Sequence, residues 1–451
     1  MRYPPFRWRE IGLMLSQTTA TLVFAMTMLL CHAATSTAQE VAAPDLPSGA
    51  FVIPVAPRIL TLPEARQLAR SHSPLLDAAS WAAVAADRRI QDAGRRDNPA
   101  LGTTFENFGA SLPSGTSELT VDITQSIDLG GARRARSDVA LAGRDIARAE
   151  WWVETRTLDA YVSESFLDAW IARERLRKAR EARELAVELL DTANDRLKAG
   201  AASVVERARA EANIALRSAE MRVAESTWGI ARRRLAQTWG AGDAQIDSLV
   251  LPIPEWSAPA PLDSLIPRLE QHPEVVRARA EARIAALRIR AARAARVPDL
   301  ALRFGARQFS ESGDIGFVAG AGVPIPFWNR GLGTVSAAAA ERSGADVRVR
   351  AAQIRLGGEL RSAYERLTAS AATWQDITQQ VLPSVEAAFA ALRTAYRMGR
   401  IGYVDVLEGQ RAVIETRLLA LNAARDVWSA RLELERLTDV TTRGPRDLEG
   451  R

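Results

Sequence analysis

Two carboxylates, Asp405 and Glu408, stand three residues apart just beyond the break Gly399-Arg400-Ile401-Gly402. On a helix that spacing puts both on one face. Acids so placed do not make an acid–base dyad on their own. They present paired negative charge, which attracts cations. Asp405 has a second possible task, because a carboxylate three residues past Gly402 favours a helix N-terminus. An equivalent break, Gly200 to Glu206, keeps an acid at Glu206 but has Arg209 where the later one has Glu408. Only the later break presents two acids.

Little else in the chain offers chemistry. There is no HExxH, CxxC, glycine-rich phosphate loop or nucleophile elbow. His72 and His272 each stand at or just before a proline in equivalent places and read as helix-start residues, not as a ligand pair. The 59 basic and 54 acidic residues leave a net charge of +5, and Lys178 and Lys198 are the only lysines. Arginines alternate with acids at helical spacing and make no basic block, so solvated helix faces are expected and nucleic acid is not. No catalytic site, cofactor or metal site is expected.

The elements that position these residues are written twice. His72-Ser73-Pro74 recurs as His272-Pro273, and Pro99-Ala100-Leu101 as Pro298-Asp299-Leu300. The turn Asp128-Leu129-Gly130-Gly131-Ala132-Arg133 recurs as Phe327-Trp328-Asn329-Arg330-Gly331, and Leu197-Lys198-Ala199-Gly200 as Tyr396-Arg397-Met398-Gly399. The offsets cluster within two residues of 200, which marks a duplicated unit too long for a solenoid repeat. The expected division is a signal peptide at 1–38, a proline-rich leader at 39–60, a first copy at 61–240, a connector at 241–261, a second copy at 262–440 and a polar tail at 441–451. The signal rests on Arg2, Arg7 and Arg9, a short apolar run at 22–30, and small residues at 36–38. Cys31, the only cysteine, follows Leu30, where a lipoprotein signal has a small residue. Once residues 1–38 are removed, no disulfide or thiolate site is possible.

Within each copy the order is helix, strand, strand, long helix, helix. Thr61, Pro63 and Glu64 open a helix running to about 96. Residues 119–127 alternate, with Leu119, Val121, Ile123 and Ile127 on one side and Thr120, Asp122, Thr124 and Ser126 on the other. Residues 101–108 alternate less cleanly. Residues 132–197 hold no proline and one glycine, Gly143, and as one helix would be ~100 Å long. Ser203 and Glu206 make a second capping box for a helix to about 239. The second copy gives a helix at 262–296, strands at 300–306 and 317–323, a long helix at 332–398 that Gly357-Gly358 and Pro383 should bend, and a last helix at 403–438. Four strands cannot close a barrel, so several chains must each lend theirs. The class is mainly α with a small β part.

This order and these motifs resemble the TolC family of outer-membrane efflux proteins over residues 60–440. The resemblance implies a homotrimer whose 12-stranded β-barrel, seated among outer-membrane lipids, continues as a long periplasmic α-helical barrel. It implies a passive duct that works with a periplasmic adaptor protein and an inner-membrane RND-type pump. Asp405 and Glu408 would then ring the periplasmic gate. The two breaks would be adaptor-docking tips, with Gly200, Ser203, Val204, Gly399, Gly402 and Tyr403 at the ends and Ser203, Val204, Gly402 and Tyr403 exposed. The strand-to-helix corners would hold Gly130 and Gly131 in one copy and Pro324, Pro326, Asn329 and Gly331 in the other. The stretch from Gly322 to Gly331 (GVPIPFWNRG) is similar to that corner in the cobalt–zinc–cadmium branch, although Trp328 departs from its pattern and the corner is shorter. Heavy-metal cations are the cargo so implied; drugs or other organic compounds are the alternative, and a secreted structural coiled coil or adhesin is the rival from another class.

Overall fold

A computed structural model describes residues 57–107, 117–243, 245–251 and 259–438. The expected signal peptide with Cys31, most of the leader, part of the connector and the 441–451 tail lie outside the described residues. The first copy runs β1 (Ile59–Thr61), α1 (Leu62–His72), α2 (Pro74–Ala93), β2 (Ala100–Glu106), β3 (Glu118–Ile127), α3 (Ala132–Lys198) and α4 (Val204–Gln237). The second runs β4 (Ser248–Val250), α5 (Leu262–Leu265), a 3₁₀ turn (Ile266–Gln271), α6 (Pro273–Ala294), β5 (Leu300–Phe309) and β6 (Ile315–Gly322). It ends in α7 (Leu332–Asp376), a π turn (Ile377–Val381), α8 (Leu382–Arg397) and α9 (Tyr403–Thr438).

Three expectations need correction. The helix expected from 61 to 96 is two, parted at Ser73-Pro74. Proline has no N–H to give the preceding turn and is favoured at the start of a new helix instead. In the second copy the helix expected at 262–296 likewise begins properly only at Pro273. The leader and connector, expected to be irregular, contribute a short parallel pair, with Leu60 opposite Leu249. Both leucines are buried beside Phe166 and Trp239. Three-residue strands have no readable period. The long helix of the second copy does loosen before Pro383, as a π turn, a form that absorbs the missing donor. At Gly357-Gly358 it stays helical.

The long helices pack through alanine. On α3, Ala135, Ala142 and Ala149 are buried at seven-residue spacing, and Ala338 and Ala345 repeat this on α7. Such a stripe is a coiled-coil seam, and methyl side chains let the helix axes approach closely.

The main sheet has the order β2-β3-β5-β6, antiparallel throughout. Its register puts Leu101, Ile123, Phe304 and Ala319 in one row and Gly102, Asp122, Gly305 and Val318 in the next. The alternation read from the sequence is present, but its sense is inverted relative to a water-soluble protein. Thr120 and Asp122 are 1% and 4% exposed, while Ile123, Phe304 and Phe317 face outward, Phe317 at 95%. An apolar outside and a polar inside are what a barrel in lipid requires. Glycine opposite Asp122 on both sides is part of the construction. A Cβ at Gly305 would stand 2.5 Å from the Val121 carbonyl oxygen, and one at Gly102 would stand 3.1 Å from the Asp122 carboxylate. The carboxylate accepts from the Arg303 guanidinium at 2.5 Å. Arg307 takes Glu118 at 2.7 Å and Glu106 at 2.9 Å. Strands β2 and β6 are edges, each with one row of unpaired backbone groups within this chain.

Candidate functional site: the paired hairpin ends

The two breaks singled out in the sequence are the tips of two helical hairpins, α3–α4 and α8–α9. Each long helix stops in the same way. Gly200 and Gly399 take φ of 71° and 74°, which a side chain disfavours. Ala201 N–H donates to the Arg196 carbonyl at 2.8 Å, and Arg400 N–H to Ala395 at 2.9 Å. Gly200 N–H donates to Leu197 at 3.0 Å, and Gly399 N–H to Tyr396 at 2.9 Å. This is one Schellman closure, made twice.

The helices that leave the tips begin differently. At the first, the Ser203 hydroxyl accepts from Glu206 N–H at 3.3 Å. At the second, Gly402 N–H donates to the Asp405 carboxylate at 3.0 Å. A full capping box makes both bonds; each tip is shown with one. The box expected at Ser203 and Glu206 is therefore only half made, and the Glu206 carboxylate instead accepts from the Tyr396 hydroxyl at 3.3 Å.

That contact belongs to a seam joining the hairpins. The Arg196 guanidinium donates to the Tyr396 carbonyl at 2.5 Å, to Ala201 at 3.0 Å and to Ile401 at 3.5 Å, and lies 4.3 Å from the centre of the Tyr396 ring. Tyr396 and Tyr403 meet edge to face at 6.0 Å. Burial pushes the Tyr396 hydroxyl up to about 12 and raises Tyr403 too, so Tyr396 remains a donor at any physiological pH. Deeper in, Asn213 donates to Gln410 at 2.8 Å, both side chains buried. Leu189, Ala193, Phe389, Val406 and Val413 close the apolar part.

The expected tip residues divide accordingly. Gly200, Ser203, Val204, Gly399 and Gly402 are exposed, Val204 at 70%. Tyr403 is 1% exposed and is not a surface residue. Its ring fills the space under Tyr396, and the neighbouring Val404 and Val205 take the outward positions with Met398. Asp405 and Glu408 are both exposed on one face of α9, Asp405 also capping that helix. Arg196, Asn213 and Gln410 carried no signal in the sequence. They are ordinary polar residues on helices until the two hairpins are laid side by side.

At the other end of the long helices, Asp128 caps α3 by accepting from Ala132 N–H at 2.9 Å and Arg133 N–H at 2.7 Å. A Cβ at Gly130 would stand 2.5 Å from the Ala294 carbonyl oxygen, and Gly131 has φ of 71°. In the second corner Gly331, φ 66°, donates its N–H to the Asn329 side chain at 3.1 Å, after the exposed Pro324 and Pro326. A cavity of about 660 Å³ between α1, α3, α7 and α9 is lined by Arg66, Asp159, Glu433 and Arg436 among others. Its charges pair with one another, Arg436 with Glu433 at 2.8 Å and Arg66 with Glu435 at 2.9 Å. Among the described residues no group of three or more His, Cys, Asp or Glu could hold a metal, and no helix is long and apolar enough to cross a membrane.

The family model described as outer membrane efflux protein matches residues 65–241 and again 268–439. The cobalt-zinc-cadmium resistance protein CzcC of Cupriavidus metallidurans is 30% identical over 86% of this chain and 93% of its own length. The nickel-cobalt-cadmium resistance protein NccC of Alcaligenes xylosoxydans xylosoxydans is 26% identical over 68% of this chain and 69% of its own. Among solved structures, the outer membrane protein VceC of Vibrio cholerae superposes with a TM-score of 0.70 at 19% identity, covering 84% of this chain and 95% of that one.

Proposed function

The chain belongs to the outer membrane efflux protein family, and from that premise we propose that it is the passive exit duct of a tripartite system exporting heavy-metal cations. The observation that carries the duct is the inverted sheet, with Asp122 and Thr120 turned in and Phe304 and Phe317 turned out. Two open edges in one chain ask for partners, and β6 of one copy can pair with β2 of the next. Three copies close twelve strands, and the long helices continue the wall into the periplasm.

The hairpin ends then face the inner membrane. Val204, Val205, Met398 and Val404 give a periplasmic adaptor a small apolar footing, and an RND-type pump stands beyond it. Asp405 and Glu408, threefold repeated, line the gate. The cations are cargo, and the pump selects them; the wall supplies passage and a weak preference for positive charge. The metal reading rests on the relatives' names and on the corner Gly322 to Gly331, whose structural work would serve an exporter of organic compounds equally well. Deletion in the native host decides between them. Growth should fail on zinc, cobalt or cadmium and recover on complementation. Sensitivity confined to dyes and antibiotics would reassign the cargo and leave the duct standing.

A further inference from the structure

The inward face of the main sheet carries arginine, which a passage for cations should avoid. Alternation along the strands puts Glu106, Glu118, Asp122, Arg303 and Arg307 on that face. Arg303 is the open member of its pair: its side chain is 43% exposed, and that of Asp122 is 4% exposed. The guanidinium therefore meets the lumen of the proposed barrel, and the carboxylate lies behind it. The backbone makes room for that carboxylate. A Cβ at Gly305 would stand 2.7 Å from the Asp122 Cβ, and Gly102 flanks the same acid on the other side. Glycine inside a strand weakens it, so two of them beside one acid ask what the acid does in return.

A tie between strands does not need the charge. β3 and β5 already pair at ten positions, and an asparagine at 122 would still offer Arg303 an acceptor. Asparagine would leave the arginine's charge uncancelled. Arg307 is handled in the same way. Glu106 and Glu118 are direct cross-strand neighbours, an arrangement that repels, and Arg307 joins both. On the described part of this face both guanidiniums thus have a carboxylate, and three carboxylates against two guanidiniums leave one negative charge per chain. Without Asp122 that excess vanishes, and a closed ring of three chains presents three uncancelled arginines to whatever passes.

We propose that Asp122 is a specificity-determining residue of the sheet's inner wall: it cancels Arg303, so that each chain keeps a net negative charge there and the wall admits cations. This rests on the reading of the chain as a cation duct, so the test must separate the two. The full-length protein is reconstituted into planar bilayers. The variants are made in an Asp405→Ala, Glu408→Ala background, so that the acids of the tips do not mask the wall. The permeability ratio of potassium to chloride is read from the reversal potential near 0.1 M salt, where a charge is felt over about 10 Å. Asp122→Asn keeps the shape and the acceptor, and should lower the ratio about threefold. Arg303→Gln should raise it by a similar factor. The two together conserve the charge of the wall and should restore the ratio of the background. Charges beyond the strand ends, among them Asp128, Asp299, Glu311 and Asp314, are the same in every variant and drop out of the comparison. Single variants that leave the ratio unmoved, or shift it in one direction together, overturn the proposal, and the pair is then a tie alone. A double variant that keeps the ratio of Asp122→Asn overturns it too. In each of these cases conduction by the wild type leaves the duct standing; a wild type that forms no conducting oligomer sinks the duct and this proposal with it. Should Asp122→Asn fail to assemble, Arg303→Gln carries the test alone, and a ratio that does not rise overturns the proposal.

Discussion

The α3–α4 and α8–α9 tips descend from one design and have divided its work. Both keep the left-handed glycine and the Schellman closure, which are backbone devices. Of the two bonds in a capping box, the first tip uses the hydroxyl half at Ser203 and the second the carboxylate half at Asp405. The acids at equivalent places have parted: Asp405 caps its own helix, and Glu206 reaches across to Tyr396. Duplicated elements hold on to what the main chain requires and diverge wherever a side chain can find another partner. On this view the first tip is the brace, and the second is the one that leaves two acids open on its surface, where the proposed gate requires them.

The sharpest way to break that division is Arg196→Ala. It removes donors to three carbonyls of both tips and should cost about 2–4 kcal/mol. Thermal unfolding of the oligomer gives the loss, and amide exchange should rise at 196–206 and 396–405 together. A rise in the first stretch alone would show that the tips are not braced through this residue.

The same comparison can be made at the other repeated marker. His72, in the last turn of α1, holds the Leu68 carbonyl at 3.0 Å, whereas His272 caps α6 by accepting from Glu274 N–H at 3.3 Å. Burial depresses His272 from 6.5 to about 4. An unfolded chain takes up this proton more readily than the folded one, so His272's share of stability is whole above pH 6.5 and drains away towards pH 4. The full shift is worth on the order of 3 kcal/mol. His272→Asn keeps an acceptor at the cap and should flatten this part of the pH–stability curve.

Deeper in the seam, Asn213→Leu strands the buried Gln410 and should cost about 1–3 kcal/mol. Replacing both, Asn213→Leu with Gln410→Met, should cost less than the single change. Two additive losses would mean that the residues act separately and that the hydrogen bond between the hairpins counts for little.

The smallest stability effect should bring the clearest functional one. Asp405→Ala with Glu408→Ala removes one helix cap, about 1 kcal/mol. It should raise single-channel conductance in planar bilayers and weaken block by divalent cations. Glu206→Gln should change neither quantity. Equal effects from both tips, or none from the second, would remove the assignment of the gate to α9.

Much of this could be read from the sequence, for a physical reason in each case. The duplication, the long helices and the four sheet strands announce themselves through proline, glycine and alternation, which act locally. The seam between the hairpins could not be read, because Arg196 meets Ile401 across 205 residues and no local rule links them. Tyr403 reads as a surface residue in the sequence, yet is buried, for a related reason. Its position next to a turn says exposed, and only the ring of Tyr396 above it says otherwise. The glycines opposite Asp122 became meaningful once the strand register aligned them.

The open edges of β2 and β6 bear on how the protein reaches its place. A lone chain holds a third of a wall, with an oily outer side and a ladder of unmet donors and acceptors along both margins. Lipid offers those groups nothing, so a single chain cannot settle in the membrane and wait for company. Assembly must precede or accompany insertion, which makes arrival steeply dependent on the concentration of newly exported chains. A subunit with a damaged edge strand would leave the ring open at that seam, with the same unmet groups facing lipid.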